Sequence, residues 1–178
     1  MKRILFVLSF LLFIHQSVNA QKTLKVWVVR HAEKITSDRN EKDPELSAEG
    51  SQRAEALLKL LKGESIDSIF VTAYKRTKLT AFPLADKVGL AMKTYSPTDQ
   101  KTFAKQLLAN AKGKKILIVG HSNTVLDVIE SFGAKRPVQE IKDDEYDYIF
   151  ALTIKDGKAE VKVGHYGKTN EKKQANSK

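Results

Sequence analysis

Two arginines and two histidines in this chain stand where apolar runs stop. Arg30 and His31 lie in VWVVRHAEK (26–34), Arg76 in VTAYKRTKLTA (71–81) and His121 in VGHSNT (119–124). An imidazole can move a proton or attack with a lone pair near neutral pH. A guanidinium holds an oxyanion with a planar fork of N–H donors. Brought together, two of each would repel one another unless an anion lay among them, and phosphate is the anion that matches the fork. Two polar neighbours belong to the same stretches. Glu33 follows His31 by two residues, and Ser122 opens a helical pattern after His121. Ser122 is thus either an ordinary helix-entry residue or one whose N–H faces the anion.

The elements around these residues give them a common place. LKVWVV (24–29), SIFVT (68–72), KILIVG (115–120), YIFALTI (148–154) and KAEVKVG (158–164) read as strands, rich in β-branched and aromatic residues. Between them, residues 48–62, 75–88, 99–112 and 123–132 carry apolar residues three and four apart, the period of an amphipathic helix. This alternation predicts an α/β fold, a three-layer α/β/α sandwich with a mostly parallel central sheet. Lys155-Asp156-Gly157 separates the last two strands as a hairpin turn, so that pair is expected to be antiparallel. Ser47 is placed to cap the first helix and Asp99 the third, and Pro83 predicts a kink or a short non-helical break in the second. In an open parallel sheet, ligands bind beyond the carboxyl ends of the strands. Arg30, His31, Arg76 and His121 therefore share one edge.

The stretches RHAEK (30–34), LSAEGSQRA (46–54), VTAYKRTKLTA (71–81) and VGHSNT (119–124), in that order and with these strand contexts, resemble the histidine phosphatase superfamily. This group is also called phosphoglycerate mutase-like, and the resemblance is to its smaller single-domain bacterial members, over most of residues 24 to 165. It implies hydrolysis of phosphomonoesters through a phosphohistidine on His31, with Arg30 and Arg76 as phosphate clamps and His121 as the second histidine on the phosphate. Ala32 stands where the commonest form of the motif has glycine. Many members carry a glutamate proton donor between the second and third motifs, yet no glutamate lies between Thr80 and His121. Asp99 occupies that interval and is equally suited to cap a helix. Glu33 is the alternative donor, or else a residue that orients Arg30.

Composition bounds the remaining classes. The 178 residues carry 31 Lys and Arg against 21 Asp and Glu, a formal charge of +10, and no cysteine. The first twenty read as an export signal: Lys2 and Arg3, an apolar run from Ile4 to Ile14, and Val18-Asn19-Ala20 before Gln21. An apolar run of that length falls short of the ~20 residues of a spanning helix, so no stable membrane insertion is expected. Cleavage near Ala20 would send residues 21–167 to the periplasm or beyond as one domain, followed by a basic tail, 168–178. Loss of Lys2 and Arg3 lowers the charge from +10 to +8. The basic residues are scattered and not interleaved with aromatics, which favours a small phosphorylated substrate over nucleic acid. No histidine pair has metal-ligand spacing, so neither metal nor cofactor is expected. The acidic run DDEYD (143–147) lacks the glycine of a calcium loop and reads as a solvated loop, with Tyr146 a candidate for the pocket wall. His165 reads as a surface residue after the last strand. The competing function is a non-catalytic module that binds phosphorylated envelope glycans or lipid head groups. No legible motif sets an oligomeric state.

Overall fold

The structure, a computed structural model, describes residues 23–38 and 40–169. The stretch read as an export signal and most of the basic tail lie outside the described residues. Among the described residues, six strands and four helices follow in the order β1 (Leu24–Arg30), α1 (Ala48–Leu61), β2 (Ser68–Val71), α2 (Lys75–Val88), β3 (Met92–Thr94), α3 (Gln100–Asn110), β4 (Lys115–Gly120), α4 (Val125–Ser131), β5 (Tyr148–Lys155) and β6 (Lys158–His165). They form one sheet in the order β3-β2-β4-β1-β5-β6. The pairs β3-β2, β2-β4 and β4-β1 are parallel, and β1-β5 and β5-β6 are antiparallel. The α/β sandwich is as the alternation predicts. At the hairpin, Asp156 and Gly157 both have positive φ, 54° and 74°, the backbone that a tight two-residue turn between twisted strands requires.

Strand alternation splits the core between the two faces. Val26 and Val28 of β1 and Ile116 and Ile118 of β4 point to one side, where Phe103 and Leu107 of α3 and Val125, Val128 and Ile129 of α4 cover them. Val29, Leu117 and Val119 point to the other, against Leu57 and Leu61 of α1 and Ala81 and Leu84 of α2. Each fully buried aliphatic side chain stabilises the fold by about 1.5–3 kcal/mol. The central strands are thus held rigidly beneath their own carboxyl ends.

Three details differ from the pattern read in the sequence. Pro83 lies inside α2 without a break, and the helix runs on to Val88. The ring removes the single bond to the Leu79 carbonyl, on a side where Leu79 and Phe82 are exposed, while Leu84 and Ala85 stay packed in the core. The edge strand β3 carries no alternation to read, because only Met92 of its three residues is partly buried. The antiparallel arrangement also reaches further than the hairpin, since β5 enters the sheet beside β1.

Candidate active site

Because β1, β4 and β2 are neighbours in the sheet, the residues that follow them meet at one edge. Arg30 ends β1, His31 follows it, His121 follows β4, and Arg76 lies in the first turn of α2 after β2. The His31 and His121 rings are 5.4 Å apart, and Arg30, His31, Arg76, His121 and Ser122 line one cleft of about 850 Å³. Pro97, Thr98, Asp143, Asp144 and Tyr146 complete much of its wall.

The backbone around His31 fixes its tautomer. The His31 N–H donates to the Gly120 carbonyl at 2.8 Å, tying the loop after β1 to the end of β4. The Thr80 hydroxyl of α2 accepts from the Ala32 N–H and donates to the Arg76 carbonyl. The Ala32 carbonyl then lies 2.8 Å from His31 Nδ1. A carbonyl can only accept, so Nδ1 carries the proton and Nε2 keeps its lone pair. Burial is the main reason that the ring's pKa falls to about 3, and the charges of Arg30 and Arg76 and the His121 ring push the same way. The His31 ring is therefore neutral and nucleophilic at any ordinary pH.

His121 is held by a chain of hydroxyls. Arg76 Nη2 donates to its Nδ1 at 3.5 Å, which leaves Nε2–H to donate to Thr72 Oγ1 at 3.0 Å. Thr72 in turn meets Thr77 Oγ1 at 3.0 Å, and Thr77 donates to the Tyr74 carbonyl. Burial and the charges of Arg76 and Arg30 bring the His121 pKa down to about 4, with Asp43 opposing them.

Both arginines are anchored by neighbouring protein groups. Arg30 is 5 % exposed, and its Nη1 donates to the carbonyls of Lys142, Asp143 and Glu145 at 2.7, 3.0 and 3.0 Å. Its guanidinium lies 4.0 Å from the Tyr146 ring centre. Arg76 packs on Tyr74 at 4.2 Å and pairs with Asp43 at 3.5 Å, while Asp43 also accepts from the Lys75 N–H at the start of α2. The Nε atoms of both arginines are buried without a protein partner. Two cationic donors left unsatisfied in the cleft can hold an oxyanion beside a neutral imidazole lone pair.

The carboxylate candidates are occupied elsewhere. Asp99 caps α3, accepting from the Thr102 N–H at 3.1 Å, and is not among the residues that line the cleft. Glu33 forks with Arg53 at 2.7–3.0 Å rather than orienting Arg30, and faces a neighbouring cleft. Arg53 is buried within α1 and also donates to the Tyr166 and Lys168 carbonyls. Gly50 lets α1 approach: a Cβ there would lie 2.0 Å from the Glu33 carbonyl oxygen. Glu33→Gln is expected to lower unfolding stability by about 2–3 kcal/mol, less than the ~3–5 of a fully buried broken pair, because Glu33 is 22 % exposed. Urea unfolding would read this, and hydrolysis of alkyl and aryl substrates should slow alike.

Several site residues have no assigned role in the sequence reading. Thr72, Thr80 and Tyr74 lie in a quoted motif but look like strand-end and helix residues. Arg53 carried a signal, since it falls on the buried stripe Gly50, Ala54, Leu57, Leu61. Asp43 sits in an irregular loop with no pattern around it. The run 143–147 is no solvated loop, because its carbonyls hold Arg30 and its Asp147 is buried and paired with His165 at 2.9 Å. His165 is thus a loop anchor at the end of β6.

Residues 26–96 match the family model of the histidine phosphatase superfamily (branch 1). No curated protein matches the sequence. Among solved structures, the protein histidine phosphatase SixA complexed with tungstate is 16 % identical, with a TM-score of 0.62 over 80 % of this chain and 95 % of its own. A mycobacterial glucosyl-3-phosphoglycerate phosphatase is 11 % identical, with a TM-score of 0.62 over 81 % of this chain and 98 % of its own. At such identities the shared property is the fold.

Proposed function

We propose that this protein is an exported phosphatase that hydrolyses phosphomonoesters through a phosphohistidine on His31. The observation that carries the reading is the Nε2 lone pair of a neutral His31, held beside Arg30, Arg76 and His121 in one cleft. Phosphoryl transfer asks a protein chiefly for position and for positive charge at the equatorial oxygens, and this cleft supplies both. Nε2 attacks phosphorus, the ester P–O bond breaks, and the departing alkoxide takes a proton from water in the open cleft, since Glu33 and Asp99 are bonded elsewhere. Water then attacks the phosphohistidine, releases inorganic phosphate and returns the lone pair to Nε2. Arg30 and Arg76 bind the non-bridging oxygens through the fork atoms their anchors leave over, and His121 contacts the same group, with the Ser122 N–H beside it. The family match over residues 26–96 supports this chemistry, as do the names of the structural neighbours. Export rests on the pattern of residues 1–20, which places the activity in the periplasm or outside the cell.

The test is incubation with a phosphosugar in the presence of a strong chelator, assayed for free phosphate against isomerised ester. Free phosphate, with acid-labile phosphate trapped on the protein, is the expected result. Isomerised ester would make it a mutase, and activity restored only by added metal would overturn the metal-free chemistry. The commitment of Glu33 to Arg53 and of Asp99 to a helix cap favours one other reading, a phosphate-binding module without turnover. Anion binding by the wild type with no hydrolysis of an activated aryl phosphate would establish that reading instead.

A further inference from the structure

The cleft has a cationic floor and an acidic wall. Its charged lining residues are Arg30, Lys34, Arg76, Asp143 and Asp144. Lys34 and Asp144 also line the neighbouring cleft, whereas Asp143 lines this one alone. Asp143 does not sit on a loose loop. Its carbonyl and those of Lys142 and Glu145 converge on Arg30 Nη1, and the turn closes on itself through Glu145 N–H to the Lys142 carbonyl and Lys142 N–H to the Glu145 carboxylate. Buried Ile141 and Asp147 pin both ends. The carboxylate charge reaches the site, since among the acidic residues Asp143 acts most strongly on the Arg30 guanidinium. A carboxylate beside the bound group attracts a cationic leaving group and repels one that is itself anionic.

Resting on the phosphatase reading, we infer that Asp143 makes the cleft selective for phosphomonoesters whose leaving alcohol carries a positive charge close to the phosphate, of which an aminoalkyl phosphate is the simplest. The phosphate sits among Arg30, Arg76 and the histidines, and the ammonium lies toward Asp143. Tyr146 forms the wall beside them. An ester with a carboxylate in the ammonium's place meets Asp143 as a like charge. Asp143 is a specificity-determining residue, outside the phosphoryl transfer itself.

A matched series tests this: phosphoethanolamine, the monophosphate of ethylene glycol, and phosphoglycolate, which place an ammonium, a hydroxyl and a carboxylate at similar distance from phosphorus. At low ionic strength kcat/KM should fall in that order, by about tenfold from first to last, as expected of a partly exposed charge. Asp143→Asn should shrink the ratio to about threefold or less, and Asp143→Lys should reverse it. A flat or reversed order in the wild type, or a ratio unchanged in both variants, overturns the inference. Affinities of the three compounds for His31→Ala, measured by calorimetry, carry the same order and the same criteria if none is hydrolysed. Hydrolysis of an activated aryl phosphate reports on the phosphatase reading separately, so a flat ratio with aryl turnover sinks the selectivity alone. Failure of the protein to bind or hydrolyse any of the three also overturns it.

Discussion

His31→Ala should abolish hydrolysis of an activated aryl phosphate, with kcat falling by about 10³ or more while the fold and most of the anion affinity persist. Removing a nucleophile that carries the covalent step leaves only positioning and charge stabilisation to help water attack directly, and such losses are of that order or larger. The anion affinity should survive because Arg30, Arg76 and His121 keep their own anchors. Arg30 is held by the 142–145 carbonyls, Arg76 by Asp43, and His121 by Thr72. The measurement is steady-state hydrolysis beside tungstate or phosphate binding, with circular dichroism to verify folding. Turnover retained within tenfold would remove His31 from the covalent step. Joint loss of turnover and anion binding would instead make it a clamp.

The sequence shows the two arginines and two histidines because each follows an apolar run that could only be a buried strand, and a polar residue at the end of such a run has few other uses. The strands β1, β4 and β5 and the helices around Leu57, Leu84 and Leu107 were legible for the same reason: their apolar spacing is a direct image of burial. What could not be read was set by contacts distant in sequence. Arg30 meets carbonyls more than a hundred residues away. The partner of Glu33 is Arg53, and no spacing rule joins a loop carboxylate to a side chain one helix later. Asp99 illustrates a limit of type rather than of distance. A carboxylate before a helix satisfies both a cap and an acid motif, and the Thr102 N–H shows that the cap is made. The run DDEYD looked solvated because its charges outnumber its apolar residues, yet it is its backbone, which carries no side-chain signal, that organises the site.

Unfolding stability should fall steeply as the solution is acidified from pH 7.5 to 5, before most carboxylates titrate. His31 is buried as a neutral ring whose pKa in the folded protein is about 3, against about 6.5 in an unfolded chain. Between those values the unfolded state binds a proton that the folded state refuses, so acid favours unfolding. The loss begins as the pH drops through about 6.5, and it is complete only below about 3. For His31 alone it amounts to about 2 kcal/mol at pH 5. His121, lowered to about 4 by burial and by Arg76 and Arg30, acts in the same direction. Urea unfolding at the two pH values reads the difference. His31→Asn, which has no group titrating in this range, should reduce it by about 2 kcal/mol. Saturating phosphate should reduce it too, since an anion bound beside His121 favours its protonated form and so lessens the acid penalty of the folded state. Equal stability at pH 7.5 and 5 without the anion would mean that the imidazoles are not held neutral. The same depressed pKa has a kinetic counterpart: the lone pair on Nε2 persists at pH 5, so kcat/KM should show no acid limb near 6.5 from His31. Such a limb, if it appeared in the wild type and vanished in no other variant, would place the proton on the attacking nitrogen and remove the basis for direct attack.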